Sequence, residues 1–361
     1  MAWPSWLPLR ESLRPLSPYG APQVPARASL NTNENPYPPS IGLQKAITDA
    51  IASVAADLNR YPDRDATKLR TQLATYINEQ SGTKFSVENI WAANGSNEII
   101  QSIFLAFAQG SVLGFTPSYS MHPLIAKTTG AQWIDGKRNA DFSLNTADAV
   151  SEILKHKPTL TFITTPNNPT GGAVTLDAIQ MLADAAQSIG GLLVVDEAYA
   201  EFSQETSAVT LITNNPHVIV IRTMSKAFAF AGARVGYLVS DQAVKDAMMI
   251  VRLPYHLSAL TQAAAQVAID HRSELLAGVS TLIAARETIV TELHAMGLTT
   301  IPSSANFILF TGFKQEAPQL WSAMLEKGVL IRDVGLSGYL RVTIGNDAEN
   351  QLFISALKEL I

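Results

Sequence analysis

Lys226 stands out because its amine lies among groups that bind anions. It follows an apolar run from His217 to Ile221 that predicts a β-strand, and the hydroxyls of Thr223 and Ser225 come just before it. Arg234 follows a short distance later. A lysine amine condenses with carbonyl groups, while hydroxyls and a guanidinium bind a dianionic phosphate. The stretch suggests either a Schiff-base lysine beside a bound phosphate or an ordinary junction with a solvated lysine.

Asp196 directly follows the apolar residues 191–195, so its carboxylate emerges from a buried strand. A buried charge requires a partner of opposite sign. If Lys226 carries pyridoxal phosphate, that partner is the ring nitrogen, and the carboxylate keeps the ring protonated as an electron sink. Tyr199 and the amide of Asn168 would then donate to the phenolic oxygen. The alternatives are a helix cap or ion pair for Asp196, packing for Tyr199 and a turn for Asn168.

A further anion site is predicted where residues 94–98 lead into a helical pattern. The free N–H groups and the dipole of a helix N-terminus favour an anion, so we expect Gly95, Ser96 and Asn97 to join the phosphate site. A plain capped helix explains the same residues equally well. Tyr119 lies at another strand end, where it would either stack on a planar ring or serve in packing.

The elements that must position these residues alternate between strand and helix, which is typical of a doubly wound sheet. Every polar cluster falls at the carboxyl end of a predicted strand, where open α/β sheets bind their ligands. The predicted strands are residues 90–93, 111–115, 160–165, 191–195 and 217–221.

The length of 361 residues predicts more than one domain. We expect a proline-rich, extended arm over residues 1–40, which must lie on another surface such as a second subunit. A large ligand-binding domain is predicted over residues 41–265. A long helical region over residues 258–296 and short strands at residues 306–310, 329–332 and 339–344 predict a smaller α+β domain over residues 266–361.

Composition excludes several classes of function. The net charge is −5 and no Lys/Arg block is present, so no nucleic-acid partner is expected. There is no cysteine and the histidines lack ligand spacing, so we expect neither a disulfide nor a metal site. No apolar run approaches the roughly 18 residues of a membrane span, and the first residues do not match a signal peptide. We therefore expect a cytoplasmic protein with a small-molecule substrate and no membrane association.

These motifs, taken in order, resemble the pyridoxal-phosphate-dependent aminotransferases of the aspartate aminotransferase superfamily. The resemblance implies a large three-layer α/β/α domain with a mostly parallel central sheet, together with a smaller α+β domain. It covers nearly the whole chain and rests on residues 94–97, 166–171, 196–199, 225–226, Arg234 and 340–345.

The resemblance also implies a role for each matching residue. Lys226 would hold the cofactor and move the proton between substrate Cα and cofactor C4′. Asp196 would bind the pyridinium nitrogen, Asn168 and Tyr199 the phenolic oxygen, and Tyr119 the ring face. Arg341 would clamp the α-carboxylate of the amino-acid partner in a bidentate pair.

Within the superfamily, residues 17–20, 30–37, 60–63 and 329–333 most resemble the histidinol-phosphate aminotransferases. This implies transfer of an amino group between L-histidinol phosphate and 2-oxoglutarate, forming imidazole-acetol phosphate and L-glutamate, in histidine biosynthesis. Tyr61 would reach the cofactor phosphate of the neighbouring subunit in a homodimer with shared active sites. Tyr19, also lent across the interface, and Arg332 would approach the substrate phosphate. The residues at Asn33, Glu34 and Asn35 are either turn residues or substrate-side groups.

Two other functions remain open at the level of the sequence. An aromatic amino acid aminotransferase would share the cofactor residues and differ only in the substrate pocket. A non-catalytic binding module of the same fold would bind the cofactor without turnover. The response of the bound cofactor to an amino donor separates the second from both enzymes.

Overall fold

The computed structural model describes residues 3–361, with 11 α-helices and 13 strands in this part of the chain. The helices are α1 (Ile41–Ala55), α2 (Thr67–Ser81), α3 (Ser96–Phe107), α4 (Met121–Thr129), α5 (Thr146–His156), α6 (Leu176–Ser188), α7 (Gln242–Val251), α8 (Ala259–Asp270), α9 (Arg272–Ala295), α10 (Ala317–Glu326) and α11 (Asp347–Leu360). The strands are β1 (Ala28–Ser29), β2 (Ile90–Ala93), β3 (Ser111–Thr116), β4 (Gln132–Lys137), β5 (Leu160–Thr164), β6 (Leu192–Asp196), β7 (Val218–Thr223), β8 (Gly236–Val239), β9 (Thr299–Thr300), β10 (Phe307–Thr311), β11 (Val329–Leu330), β12 (Arg332–Asp333) and β13 (Leu340–Thr343).

The large sheet has seven strands in the order β2-β8-β7-β6-β5-β3-β4. All neighbours are parallel except at β8, which runs antiparallel to both β2 and β7. The strands β2, β3, β5, β6 and β7 therefore end at one edge of the sheet. The predicted mostly parallel sheet is confirmed, and its carboxyl edge carries the polar clusters found in the sequence.

Both faces of the large sheet are covered, because successive residues of a strand point to opposite sides. In β7, Val218 and Val220 pack into a core with α2, α5, α6 and α8. Ile219 and Ile221 pack into a second core with α3, α4 and α7. This double burial explains why the strands read as continuous apolar runs.

The small sheet has four strands in the order β12-β13-β10-β9, all antiparallel. Arg332 in β12 lies directly opposite Arg341 in β13. The later part of the predicted N-terminal arm reaches this region as well, because β1 pairs in parallel with β11. Asn33 continues the connection, since its main-chain N–H donates to the Thr343 hydroxyl at 3.0 Å. These contacts join sequence positions 310 residues apart.

Some elements differ from the prediction. The long helical region predicted to begin at Ser258 consists of two helices that are separated at His271. Strands β4 and β8 were not predicted, and residues 329–332 form parts of two short strands rather than one. Across residues 3–361, no helix combines the length and apolar character that a membrane crossing requires.

Candidate active site

A cavity of about 590 Å³ opens at the carboxyl edge of the large sheet and is closed on its other side by the small sheet. Most of the site residues predicted from the sequence line it. They are Tyr19, Ser96, Asn97, Tyr119, Asn168, Asp196, Tyr199, Thr223, Ser225, Lys226, Arg234, Arg332 and Arg341. Of the other two, Gly95 lies directly behind Arg234, and Tyr61 lies outside this wall.

Lys226 follows the end of β7 and its side chain is half-buried at the cavity wall. Its Nζ donates to the carbonyl of Thr32 at 2.9 Å. Burial, together with the nearby charges of Arg341 and Arg234, lowers the pKa of the amine to about 8, although Glu34 opposes the shift. A substantial neutral fraction therefore exists near physiological pH, and the neutral amine is the nucleophilic form.

Asp196 is the last residue of β6 and is almost fully buried. Its Oδ2 lies 3.1 Å from Nε2 of His122, which is also buried. The main-chain N–H of Ala198 approaches Oδ1 at 3.3 Å. His122 had no predicted role, because nothing in its spacing distinguishes it. It reaches Asp196 because α4 packs on the face of the sheet that carries Val194 of β6.

Tyr199 lies three residues beyond Asp196, and its hydroxyl receives two amide groups. Asn33 Nδ2 donates to it at 2.9 Å and Asn168 Nδ2 at 3.3 Å. Burial raises the pKa of this hydroxyl, so Tyr199 keeps its proton. Asn33 thus belongs to the site through Tyr199, whereas the sequence left it as a turn residue or a substrate-side group.

Arg341 in β13 carries a buried guanidinium at the cavity wall. Nη1 donates to Asn168 Oδ1 at 2.6 Å and Nη2 to the Asn31 carbonyl at 2.7 Å. Within residues 3–361, Nε finds no hydrogen-bond partner. Burial lowers the pKa of the guanidinium to about 10, and the neighbouring Arg332 adds to this effect. A buried cation with an unused donor suits an anionic substrate group.

The first turn of α3 and the loop after β7 bring anion-binding groups together. Gly95 precedes α3 with φ +83°, and no side chain caps the helix. A Cβ on Gly95 would lie 2.7 Å from Arg234 Nη2, so the glycine leaves room for the guanidinium. Thr223 donates to the Ser225 hydroxyl at 3.0 Å. Hydroxyls, helix N–H groups and a guanidinium match a phosphate.

Together these groups match the parts of pyridoxal phosphate. An amine of lowered pKa suits the aldehyde, a buried carboxylate suits the ring nitrogen, and paired donors suit the phenolic oxygen. The α3 turn with Arg234 suits the phosphate. Tyr119 completes the wall, and its hydroxyl donates to Asn97 Oδ1 at 3.1 Å.

The two tyrosines predicted to cross a subunit interface lie in different places. Tyr19 lines the cavity with 49% of its side chain exposed. Tyr61 is 79% exposed and stacks on Tyr255 with ring centroids 4.4 Å apart. Tyr61 therefore does not serve the cavity of its own chain in this conformation.

Comparison with known proteins places this fold and site in a class. The family model for aminotransferase class I and II matches residues 28–357. The chain therefore belongs to aminotransferase class I and II, and this confirms both the predicted fold and pyridoxal phosphate as the cofactor.

Within that class, the similar relatives carry one name. Histidinol-phosphate aminotransferase from Mycolicibacterium vanbaalenii is 53% identical, over 97% of this chain and 95% of the relative. The protein of the same name from Nocardia farcinica is 52% identical, over 96% and 90%. The predicted resemblance to histidinol-phosphate aminotransferases is confirmed.

Solved structures agree on the fold. Histidinol-phosphate aminotransferase from Sinorhizobium meliloti, in complex with pyridoxal-5'-phosphate, superimposes with a TM-score of 0.80 at 24% identity, over 93% of this chain and 91% of that one. Aspartate aminotransferase from Thermus thermophilus with maleate gives 0.81 at 19% identity, over 93% and 92%. At these identities the likeness concerns the fold alone.

Proposed function

We propose that this protein is the transaminase that interconverts L-histidinol phosphate and 2-oxoglutarate with imidazole-acetol phosphate and L-glutamate, in histidine biosynthesis. The shared name of relatives at more than 50% identity supports the proposal. The specific observation that carries it is the pair of arginines on the small sheet.

Arg332 and Arg341 lie directly opposite each other on adjacent strands, and both line the cavity. Residues in this relation have Cβ atoms about 5 Å apart, and like charges so placed repel each other. A dianionic phosphate between them relieves the repulsion, whereas a single carboxylate needs only one bidentate arginine. The pair thus favours a phosphorylated amino donor, with Arg341 also serving the α-carboxylate of glutamate.

When bound, pyridoxal phosphate supplies an electron sink for the charge that develops at the substrate Cα. Asp196, with His122 behind it, would hold the ring nitrogen in its protonated form. Tyr199 and Asn168 would donate to the phenolic oxygen. The phosphate would lie against the first turn of α3 and Arg234.

Lys226 performs the proton transfer. Its pKa of about 8 allows a neutral amine to take the proton from the substrate Cα close to physiological pH. The Thr32 carbonyl, 2.9 Å from Nζ, holds the free amine at the cavity wall. The side chain of Tyr119 would pack against the face of the ring.

We further propose a homodimer with shared active sites. An exposed apolar surface supports this. Ile250 and Leu253 expose 84% and 73% of their area. Tyr61 and Tyr255 stack on each other nearby, because Arg252 donates to the Arg64 carbonyl and so joins the two segments. Solvent-exposed apolar residues in such numbers mark an interface. In the dimer, Tyr61 would reach the partner's cofactor phosphate. Tyr19 lines the cavity of its own chain, so it would approach the substrate phosphate there rather than across the interface.

We also propose a boundary between the large and the small domain at residues 265/266, which falls within α8.

Steady-state kinetics with histidinol phosphate and with phenylalanine, each with 2-oxoglutarate, test the substrate assignment. We expect a kcat/KM at least about 100-fold higher for histidinol phosphate, because phenylalanine lacks the phosphate that the two arginines would bind. Comparable values for the two substrates would instead identify an aromatic aminotransferase.

The Arg332→Ala variant sharpens this assay. It should weaken use of histidinol phosphate by about 10- to 100-fold and leave phenylalanine turnover little changed, since a charge-assisted contact is lost only from the phosphate. Equal losses on both substrates would show that Arg332 does not bind the substrate phosphate.

A protein that binds pyridoxal phosphate, yet whose absorption does not respond to glutamate, would be a binding module rather than an enzyme.

A further inference from the structure

Two amide side chains meet the Tyr199 hydroxyl, and the other contacts of each amide determine which way it faces. For Asn168, the determining partner is Arg341, whose Nη1 lies 2.6 Å from the side-chain oxygen. A guanidinium can only donate hydrogen bonds, so the atom it contacts is the amide oxygen. The NH2 group of Asn168 must therefore face Tyr199, at 3.3 Å.

For Asn33, the partner of the amide oxygen is Thr343. The Thr343 hydroxyl accepts the main-chain N–H of Asn33 at 3.0 Å, and the side-chain oxygen of Asn33 lies 3.0 Å from the same hydroxyl. That oxygen accepts the Thr343 proton. The NH2 group of Asn33 consequently faces the Tyr199 hydroxyl at 2.9 Å.

The hydroxyl of Tyr199 thus receives two N–H groups from opposite partners. A hydroxyl has two acceptor positions and one proton, so when both acceptor positions are used the proton must point elsewhere. Tyr199 lines the cavity, and the cavity is where a third partner can lie. We propose that Asn33 is a positioning residue that, together with Asn168, directs the Tyr199 proton toward the phenolic oxygen of pyridoxal phosphate.

Asn33 is itself held firmly. It is 1% exposed, and its carbonyl accepts Nδ2 of Asn306 at 3.1 Å. Its φ of +57° lies in the left-handed region, which asparagine tolerates better than most residues. The proposal rests on the cofactor of the proposed function but is independent of which amino donor the enzyme uses.

The absorption of the bound cofactor, titrated with pH in the absence of substrate, tests the proposal. A hydrogen bond to an ionised oxygen stabilises the ionised form, so its loss raises the pH midpoint of the absorption change. Tyr199→Phe should raise the midpoint by about one pH unit, the scale of one such bond. Asn33→Ala should raise it by roughly half as much, because the hydroxyl then regains the freedom to rotate.

Asn33→Asp provides a second variant that keeps the contact with Thr343. Its carboxylate would accept the Tyr199 proton instead of donating, so the midpoint should rise by about as much as in Tyr199→Phe. Asn89→Ala is the matched control. Its amide donates to the Ser240 carbonyl at 3.0 Å away from the cavity, so the midpoint should stay at the wild-type value.

A double-mutant cycle separates positioning from a general loosening of the site. In the Tyr199→Phe background, Asn33→Ala should produce no further shift, because its effect acts through the missing hydroxyl. An undiminished shift in that background overturns the proposal, as does a wild-type midpoint in both folded Asn33 variants. Wild-type protein that binds no pyridoxal phosphate would instead overturn the proposed function, which the wild-type spectrum reveals independently of the variants.

Discussion

Arg341 presents a buried guanidinium whose Nε has no hydrogen-bond partner among residues 3–361, while its two other nitrogens donate to Asn168 and the Asn31 carbonyl. A lysine at this position would keep one positive charge but lose the planar, bidentate geometry. We expect Arg341→Lys to lower kcat/KM for glutamate by about 30- to 100-fold, the scale of a charge-assisted hydrogen bond.

Single-turnover kinetics with glutamate measure this loss directly. Arg272→Lys is a suitable control, because Arg272 pairs with Glu79 at the surface and its ion pair contributes little. A glutamate half-reaction that proceeds normally in Arg341→Lys would show that the carboxylate binds elsewhere.

Lys226 also affects stability in a pH-dependent way. Its pKa is about 8 in the folded protein against 10.5 normally, so between these values the unfolded chain holds a proton that the folded chain has released. The contribution of Lys226 to the free energy of unfolding therefore rises as the pH rises from about 8 to 10.5. Below pH 8 the folded protein holds a buried charged amine, and the contribution is at its most unfavourable. Relative to Lys226→Met, the cofactor-free wild type should become more stable across this range.

Urea unfolding of both cofactor-free proteins at pH 7, 9 and 10.5 measures the difference. Taking the difference cancels the titration of all other groups that the two chains share. A constant difference from pH 7 to 10.5 would mean that the amine titrates at its ordinary pKa in the folded protein.

At the scale of residues, the sequence predicts the groups that follow strands but not their partners. Lys226, Asp196 and Asn168 are recognisable because each lies where an apolar run ends. His122 and Asn33 are not, because their contacts with Asp196 and Tyr199 join positions 74 and 166 residues apart. Such contacts depend on how helices and loops cross, which spacing within one segment does not encode.

The first turn of α3 offers a test at the scale of an element. Gly95→Ala places a methyl group 2.7 Å from Arg234 Nη2 and strains a backbone with φ +83°. We expect Arg234 to be displaced and the affinity for pyridoxal phosphate to fall by at least about tenfold, since one charge-assisted contact is weakened. Equilibrium dialysis measures the affinity.

Gly82→Ala supplies the matched control for this change. Gly82 also has a positive φ, +65°, but a Cβ there meets nothing within 4 Å. Both variants should lose thermal stability because of backbone strain, of about 1 kcal/mol. Only Gly95→Ala should lose cofactor affinity. If both variants lost the same affinity for pyridoxal phosphate, the cause would be reduced stability rather than displacement of Arg234.

A buried ion-pair cluster joins β7 to the segment that follows β6. Arg222 contacts Glu197 at 2.9 Å and Glu201 at 3.0 Å, and all three side chains are nearly inaccessible. Removing the cation leaves two buried carboxylates together, so Arg222→Met should cost about 3–5 kcal/mol in urea unfolding. Arg272→Met, which breaks a surface pair, should cost less than about 1 kcal/mol.

The sequence predicts elements best where they are long and apolar. Strands β5, β6 and β7 are continuous runs and were all predicted. Strand β8 was missed because it begins at Gly236 directly after the Arg234 loop. The break between α8 and α9 was missed because no proline or glycine marks it. These features depend on tertiary packing, which overrides local propensity.

At the scale of the whole molecule, the proposed dimer predicts complementation between two inactive variants. Lys226→Ala lacks the amine, and Tyr61→Ala lacks the tyrosine that would serve the partner's site. A mixed dimer regains one intact site, so random reassociation of equal amounts should restore about a quarter of wild-type activity.

Activity is measured after the two variants are unfolded and refolded together, with each refolded alone as the reference. Without a shared site, mixing would give only the sum of the separate activities. Ile250→Glu tests the interface itself, because a charge on this 84% exposed apolar residue should shift sedimentation toward the monomer.

The contact between Asn33 and Thr343 has a consequence for synthesis of the chain. The loop that meets Tyr199 leaves the ribosome early, but the strand that holds it is made some 310 residues later. Most of the large sheet can fold beforehand, since domains form as units in order of synthesis. During synthesis, Lys226 and Arg234 are therefore in place before Thr343 can hold Asn33. In that interval the Tyr199 proton has no fixed direction. The cofactor site becomes complete only after Thr343 of β13 has been synthesised.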